Sequence, residues 1–281
     1  MNAMPVVAVL IAARNEAATI GATLAALAAQ DYAGPMHVIV VVNGDTQGTA
    51  AVVAARQPEW VGQRRLELVE INTGGKPLAW NTADRRVGDG APRIYLDADV
   101  QLSANTVSRL VQSVAGDAPR VAGPGKRAAV GMPMLARICA WAWMRLPWVQ
   151  GDIVGSGVFA VNPTGRARWG EFPDLIADDG FAVWQFAPSE RTVVQACAAH
   201  IRFPSRIGDL LRAQRRWIDG GRQLAAVAQK PPFGPAWSGR QRLRAMFGSP
   251  RILAAAVITR LLRWAALACA SRRATAWSTP R

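Results

Sequence analysis

Short, continuously apolar, β-branched runs alternate with helix-period segments along the first hundred residues, and no other feature constrains the fold as tightly. Residues 6–12, 36–42, 65–71 and 93–96 read as buried strands, and 17–29, 46–56 and 76–86 read as helices between them. Strands that are apolar on both faces and separated by helices predict an α/β fold: a mostly parallel, Rossmann-like sheet flanked by helices. Ligands of such sheets bind beyond the carboxyl ends of the strands. The polar groups expected there are Asn15 and Glu16, Asn43 and Asp45, Lys76, and Asp97 with Asp99.

The chain has 281 residues, enough for one large domain or two small ones. Disorder is excluded by 51% hydrophobic against 19% charged residues. The net charge of +14 is distributed unevenly, because residues 201–281 hold 16 basic side chains and two acids, which leaves the first 200 neutral overall. Nine of the 11 tryptophans follow position 140. A neutral front and a basic, Trp-rich rear read as a catalytic or binding domain joined to a region facing an anionic membrane; an Arg-rich surface without a lipid role is the plainer alternative. Nucleic acid is not the expected partner, since the basic charge lies on helices rich in Trp and Leu without the signatures of RNA- or DNA-binding modules.

Cys139, Cys197 and Cys269 are far apart, and His37 and His200 are the only histidines, so neither a zinc site nor a disulfide framework is expected. A reducing, cytosolic setting follows as the default. The apolar run near the N-terminus lacks a preceding Lys or Arg and stops at Arg14-Asn15-Glu16, which favours a buried strand over a signal peptide.

After position 130 the rhythm changes. Residues 132–149 carry three Trp and two Arg and are too short and charged to span a bilayer, so they read as one interfacial helix. Residues 151–161 read as a loop entering a strand, 177–186 as a helix opening with two acids, 191–199 as a last strand and 207–227 as a basic amphipathic helix. A Pro/Gly linker at 231–239 precedes the apolar segment 252–270, whose Arg260 and Arg263 share one helical face; lying in the membrane interface is favoured over spanning the bilayer or docking as a soluble helix. The expected division is a domain over 1–230 and a membrane-associating helical region over 231–281.

Asp97-Ala98-Asp99 sets two carboxylates at the end of a buried strand, where both can reach one Mg²⁺ or Mn²⁺ holding a diphosphate. The competing reading is that Asp99 merely leads the next helix. Lys76 heads a helix, where a cation is unfavourable unless an anion joins it. Asp178-Asp179 could supply a general base or simply cap a helix, and Arg215-Arg216-Trp217 could meet phosphate and a sugar or lipid or form an ordinary surface.

The ordered set of Ala-Arg-Asn-Glu at 13–16, Asn-Gly-Asp at 43–45, Gly-Lys-x-x-Ala-x-Asn at 75–81, Asp-Ala-Asp at 97–99, Gly-Ser-Gly at 155–157, Asp-Asp at 178–179 and Arg-Arg-Trp at 215–217 resembles family 2 glycosyltransferases of the GT-A fold over about residues 5–220. The resemblance implies a nucleotide-diphosphate sugar donor, with Ala13, Glu16 and Asn43 at the nucleotide, Lys76 near the diphosphate and Asp97 on the ribose and phosphate side. It further implies Asp99 as ligand of a divalent metal and Asp179 as the base of an inverting transfer. Asp178, Arg216 and Trp217 fall on the acceptor and diphosphate side. Val42-Asn43 replaces the usual Asp-Asp, Asp178 the usual Glu, and Ala213 the Gln of Gln-x-x-Arg-Trp, so a single-transfer enzyme fits better than a processive one. With the basic helices, the expectation is a lipid or lipid-linked acceptor at the cytosolic membrane face; a soluble acceptor or a non-catalytic nucleotide-sugar binder are the alternatives.

Overall fold

The computed structural model describes residues 4–227 and 230–269. Its front half follows the expected order: β1 (Val7–Ala13), α1 (Ile20–Ala28), β2 (Met36–Asn43), α2 (Thr49–Arg56), β3 (Arg64–Ile71), α3 (Lys76–Asp84) and β4 (Arg93–Asp97). β1 pairs in parallel with β2 on one side and β4 on the other, and β3 continues beyond β2. The rear half adds β5 (Gln101–Leu102), α4 (Thr106–Ser113), β6 (Val121–Ala128), α5 (Met134–Met144), α6 (Pro147–Gln150), β7 (Val158–Val161), α7 (Pro163–Arg166), α8 (Asp178–Val183) and β8 (Arg191–Ile201). Three further helices follow: α9 (Ile207–Ala226), α10 (Gly239–Phe247) and α11 (Pro250–Ala268).

The eight strands form one sheet in the order β3-β2-β1-β4-β7-β6-β8-β5. β7 runs antiparallel to β4 and β6, while β6 and β8 are parallel. All seven residues of β1 are buried because the strand has helices on both faces. Val7, Val9 and Ile11 join Ile20, Leu24 and Leu27 of α1 and Leu110 of α4 in one core; Ala8, Leu10 and Ala12 join Trp80 of α3, Phe159 and Phe181 in the other. Each such Val, Leu or Ile contributes about 1.5–3 kcal/mol of burial.

Two features depart from the sequence expectation. The single helix over 132–149 is two helices, because Pro147 has no N–H to continue the ladder and holds Leu146 in extended geometry at φ −78°, ψ 118°. β6 was not anticipated, since Gly123-Pro124-Gly125 argues against a central strand. The chain accommodates these residues with a bulge, the register against β8 shifting between Pro124 and Gly125.

α11 packs on α5 and α9, and α10 on α6 and α11. Their seams mix small and large side chains: Ala142, Ala255 and Ala256 with Leu146 in one cluster, and Ala136, Cys139 and Ala140 with Met132, Phe203 and Leu210 in another. The described part of the region expected over 231–281 is therefore docked against the helices that precede it; its residues 270–281 lie outside the described residues. Among the described residues no helix is long and apolar enough to cross a membrane.

One ionic cluster lies under the sheet. Asp84 pairs with Arg93 Nε at 3.0 Å and Arg166 Nη2 at 3.0 Å and accepts the Tyr95 hydroxyl at 2.8 Å. Breaking a buried pair by removing one partner strands the other charge and costs about 3–5 kcal/mol. Asp84→Ala is accordingly expected to lower unfolding free energy by about that amount in urea titration, and a variant with an unchanged midpoint would show that the cluster contributes nothing.

Candidate active site

The carboxyl ends of β1, β2, β3 and β4 open on one edge of the sheet. The strand order reverses at β1, whose neighbours β2 and β4 lead the chain in opposite directions, and this is where an open α/β sheet leaves a crevice. The loops beginning at Arg14, Gly44, Asn72 and Ala98 surround it.

The loops of β1 and β2 are clasped together. Asn15, at φ 58°, accepts the Thr46 N–H on Oδ1 at 2.9 Å, and its own N–H donates to Asp45 Oδ1 at 2.7 Å. Asp45 also accepts the Thr49 N–H at 2.8 Å, and these bonds hold its carboxyl below the usual range despite some burial. Asn43 is fully buried: Nδ2 donates to the Ala13 carbonyl at 3.0 Å and Oδ1 accepts the Gly75 N–H at 3.0 Å. Ala13 is equally buried. Asn43 thus ties β1 to the start of α3, its amide engaged on both sides within the protein.

Lys76 is the first residue of α3. Its ammonium lies 2.7 Å from Asp97 Oδ1 and 3.0 Å from Asp178 Oδ2, and 5.5 Å from the centroid of the Trp80 ring. The anion expected beside this lysine is supplied by the protein's own carboxylates. Burial works against the charge, but Asp178 and Asp97 outweigh it and hold Lys76 protonated well above the usual lysine range. Asp178 is only 3% exposed and also accepts the Trp80 indole N–H at 2.7 Å. It faces Lys76 and is committed to orienting that side chain.

Asp179, the next residue, is placed differently. Oδ2 accepts the Gly155 N–H and Oδ1 the Gly180 N–H, each at 2.7 Å. A carboxylate has about four lone-pair sites, so both oxygens keep capacity for an incoming hydroxyl. Burial and the charge on Asp178 push its carboxyl above the usual range, against the pull of Lys76 and the Gly155 amide. Gly155 and Gly157 have φ +80° and +67°, and a Cβ on Gly157 would meet Val100 at 2.6 Å and Asp97 Oδ2 at 3.1 Å. Only glycine allows this loop to press against Asp97 while its amide reaches Asp179. Lys76, Asp97, Asp178 and Asp179 line one cavity of about 20 Å³, with Trp80, Tyr95, Ile153 and residues 156–159. That is room for one water and not for a sugar.

Asp99 and Glu16 lie on the outer side of this group. Crowding by protein and the charge of Asp97 push Asp99 up to about 6, although its surface is open to solvent. Burial, opposed by the Thr19 hydroxyl and reinforced by Asp99 and Asp97, pushes Glu16 up to about 7. Arg216 lowers both, which brings α9 to the same crevice. Trp217 is half exposed and stacks on Trp143, centroids 6.4 Å apart; Trp143 in turn abuts Gly155. The structure therefore gathers Glu16, Lys76, Asp97, Asp99, Asp178, Asp179 and Arg216 at one edge.

Among the described residues no three acidic, His or Cys side chains form a metal cage. The oxygen donors Asp97 and Asp99, crowded enough to raise the second carboxyl, suit a hard divalent cation that takes one or two carboxylates and completes its shell from substrate phosphates.

Sequence reasoning missed Trp80, Trp143 and Lys126. Lys126 is 1% exposed on β6; its ammonium donates to the Val149 carbonyl at 2.9 Å and to that of Asp152. It thereby anchors the segment leading to Gly155. Nothing in the neighbouring sequence announces this, because the partners are backbone carbonyls more than twenty residues away.

Comparison with known proteins agrees with this geometry. Residues 8–138 match the profile of the family described as Glycosyl transferase family 2. The N-acetylglucosaminyltransferase of Azorhizobium caulinodans is 31% identical over 121 residues, 42% of this chain; the match spans only 29% of that relative. The mannosyltransferase PcManGT from Pyrobaculum calidifontis, solved with GDP-Man and Mn²⁺, superposes with TM-score 0.62 at 23% identity, covering 96% of this chain and 79% of that one. Glucosyl-3-phosphoglycerate synthase from Mycobacterium tuberculosis, in complex with phosphoglyceric acid, gives 0.53 at 17% identity over 76% of this chain and 77% of that one. The fold is that of GT-A glycosyltransferases.

Burial, opposed by Asp152 and Asp179, pulls the Lys126 ammonium down to about 8. Between that value and the ordinary lysine range the unfolded chain holds more protons than the native one, so stability contributed through this group rises with pH across the window. Urea unfolding of the wild type minus that of Lys126→Met is expected to show a positive slope from pH 8 to 10, up to about 1.4 kcal/mol per pH unit. A flat difference would place Lys126 outside the titrating groups.

Proposed function

We propose that the protein transfers a sugar from a nucleotide-diphosphate sugar to an acceptor hydroxyl with inversion at the anomeric carbon, and that the acceptor is a lipid or lipid-linked molecule at an anionic, cytosolic membrane surface. The observation that carries the reaction is the shared cavity of Lys76, Asp97, Asp178 and Asp179, flanked by Asp99, Glu16 and Arg216. It joins a buried cation and a raised carboxyl at one edge of a GT-A sheet.

In this reading Asp179 accepts the proton of the acceptor hydroxyl, whose oxygen bonds to the anomeric carbon from the face opposite the diphosphate as the bond to the diphosphate breaks. Two backbone N–H groups fix the direction of the Asp179 carboxyl, and its raised proton affinity suits a base. Arg216 brings positive charge to the departing diphosphate, the electrostatic contribution that dominates such transfers, and Lys76, neutralised by Asp97 and Asp178, holds those two carboxylates in place. Asp178 and Trp80 hold the Lys76 ammonium in place. Glu16 is assigned to the nucleotide side. A bound Mg²⁺ or Mn²⁺ supplies further neutralisation of the diphosphate, and we assign its protein contacts to Asp99 with Asp97 beside it. PcManGT with GDP-Man and Mn²⁺ supports the donor class and the metal.

The membrane part rests on an inversion of side-chain size. On α11 the alanines 255, 256 and 266 face the protein, while Leu253, Val257, Leu261, Trp264 and Leu267 point outward, Trp264 at 69% exposure. α5 repeats the pattern with Met134, Ile138 and Trp141 outside and Ala136, Ala140 and Ala142 inside. α5, α10 and α11 contain no acid and seven arginines: 137, 240, 242, 244, 251, 260 and 263. An apolar, acid-free face of this kind suits the headgroup region of an anionic bilayer, where each Arg adds about 1 kcal/mol.

Asp179→Asn is expected to lower turnover of donor and acceptor by about 10²–10⁴-fold while calorimetric donor binding persists; undiminished turnover would refute the base. Asp99→Ala is expected to remove the enhancement of nucleotide binding by Mn²⁺, and an equal Mn²⁺ response in both proteins would end the metal assignment. The protein is expected to float with phosphatidylcholine–phosphatidylglycerol vesicles and to leave them at high salt. Failure to float would redirect the acceptor to a soluble molecule.

A further inference from the structure

α9 and α11 leave between them an apolar groove of about 320 Å³, lined by Ile207 and Leu211 from α9 and Ile258, Leu261, Leu262 and Ala265 from α11. We infer that this groove binds the hydrocarbon chain of the acceptor, an inference that rests on the membrane reading above. All six lining side chains are apolar, so an occupant with backbone amides or hydroxyls would lose hydrogen bonds to water and find none in return. Water itself is poorly held by such a lining. A hydrocarbon chain asks for no polar partner, and each methylene it buries contributes about 0.8 kcal/mol.

Two spatial relations point to the acceptor's own chain. Leu261 lines the groove and also belongs to the outward stripe of α11, so a chain passes from bilayer to groove along continuous apolar surface. Leu211 and Arg216 lie on the same helix, five residues and therefore about 7.5 Å apart along its axis. The helix that lines the groove is thus the one that brings Arg216 to the acidic edge. A lipid seated here has its chain between α9 and α11 and its hydroxyl-bearing head towards the part of α9 that carries Arg216. α10 and α11 carry arginines and no acid, and on α9 Asp209 and Asp219 are paired with Arg212, Arg215 and Arg222, so the uncompensated charge near the groove is positive and complements the phosphate of an anionic lipid.

The test uses the full chain and hexadecanol carrying a photoreactive diazirine in its chain, presented in phosphatidylcholine–phosphatidylglycerol vesicles, with cross-links mapped by mass spectrometry. Labels are expected on Ile207, Leu211, Ile258, Leu262 and Ala265. Ala265→Phe, which fills the groove, is expected to lower their yield by about tenfold, the effect of displacing one side chain's worth of apolar burial. Leu211→Ala, which widens it, is expected to keep the label, and Leu253→Ser on the outer stripe to leave groove labelling unchanged. Labels spread evenly over Leu253, Val257 and Trp264, or a folded Ala265→Phe labelled as well as wild type, would overturn the inference. The membrane reading is scored separately by flotation. A protein that floats without groove labelling loses the groove alone, whereas groove labelling from detergent micelles without flotation loses the membrane surface and keeps the groove.

Discussion

The buried ammonium of Lys76 is the point on which the site depends. It sits at the positive end of α3, where a cation is unfavourable, and is retained because Asp97 from β4 and Asp178 from α8 neutralise it at 2.7 and 3.0 Å. These three residues come from the two halves of the chain, so the ion triad also ties the parallel front of the sheet to the helix bearing Asp179. Trp80, one turn after Lys76 on α3, closes the arrangement with its indole N–H on Asp178. The adjacent acids at 178 and 179 are thereby assigned different work: the first is consumed by a lysine and an indole, and the second meets only backbone amides.

Those amides are held from further away. Gly155 reaches Asp179 because the loop before it is anchored through the carbonyls of Val149 and Asp152 to Lys126, a lysine buried on a bulged strand. Keeping a charged amine there is unfavourable, as its lowered proton affinity shows. The return is a loop whose conformation is determined by charge-assisted bonds. On its outer side Trp143 packs against Gly155 and stacks on Trp217, which links the Gly155–Asp179 contact to α9 and so to the helices that carry the apolar face.

That face follows from a trade between packing and exposure. Alanines and a cysteine along the seams let α5, α9 and α11 approach closely, and the large apolar side chains of α5 and α11 are left outside. In water alone this is a poor use of Leu and Trp, because their burial on the protein side would be more favourable. This outward face, with the seven arginines of α5, α10 and α11, is the feature on which the proposed anionic membrane surface rests.

The alternation of apolar runs and helices determined the parallel front of the sheet by itself, since β-branched residues apolar on both sides are satisfied only in a strand covered on both faces. The acids and the lysine at strand ends were legible for the same reason, as a parallel sheet brings its carboxyl ends to one edge. What Asn43 does was not legible: only in three dimensions do its amide and the backbone of Ala13 and Gly75 coincide, and its place in the motif pointed to the nucleotide. The strand through Gly123-Pro124-Gly125 and the break before Pro147 also depended on context, because a bulge and a proline are resolved by their neighbours and not by propensity. The sequence shows which charges exist and roughly where each strand ends. Which carboxylate neutralises Lys76 and which stays available was decided by tertiary structure alone, because electrostatic pairing falls off within a few ångströms and the partners lie far apart along the chain.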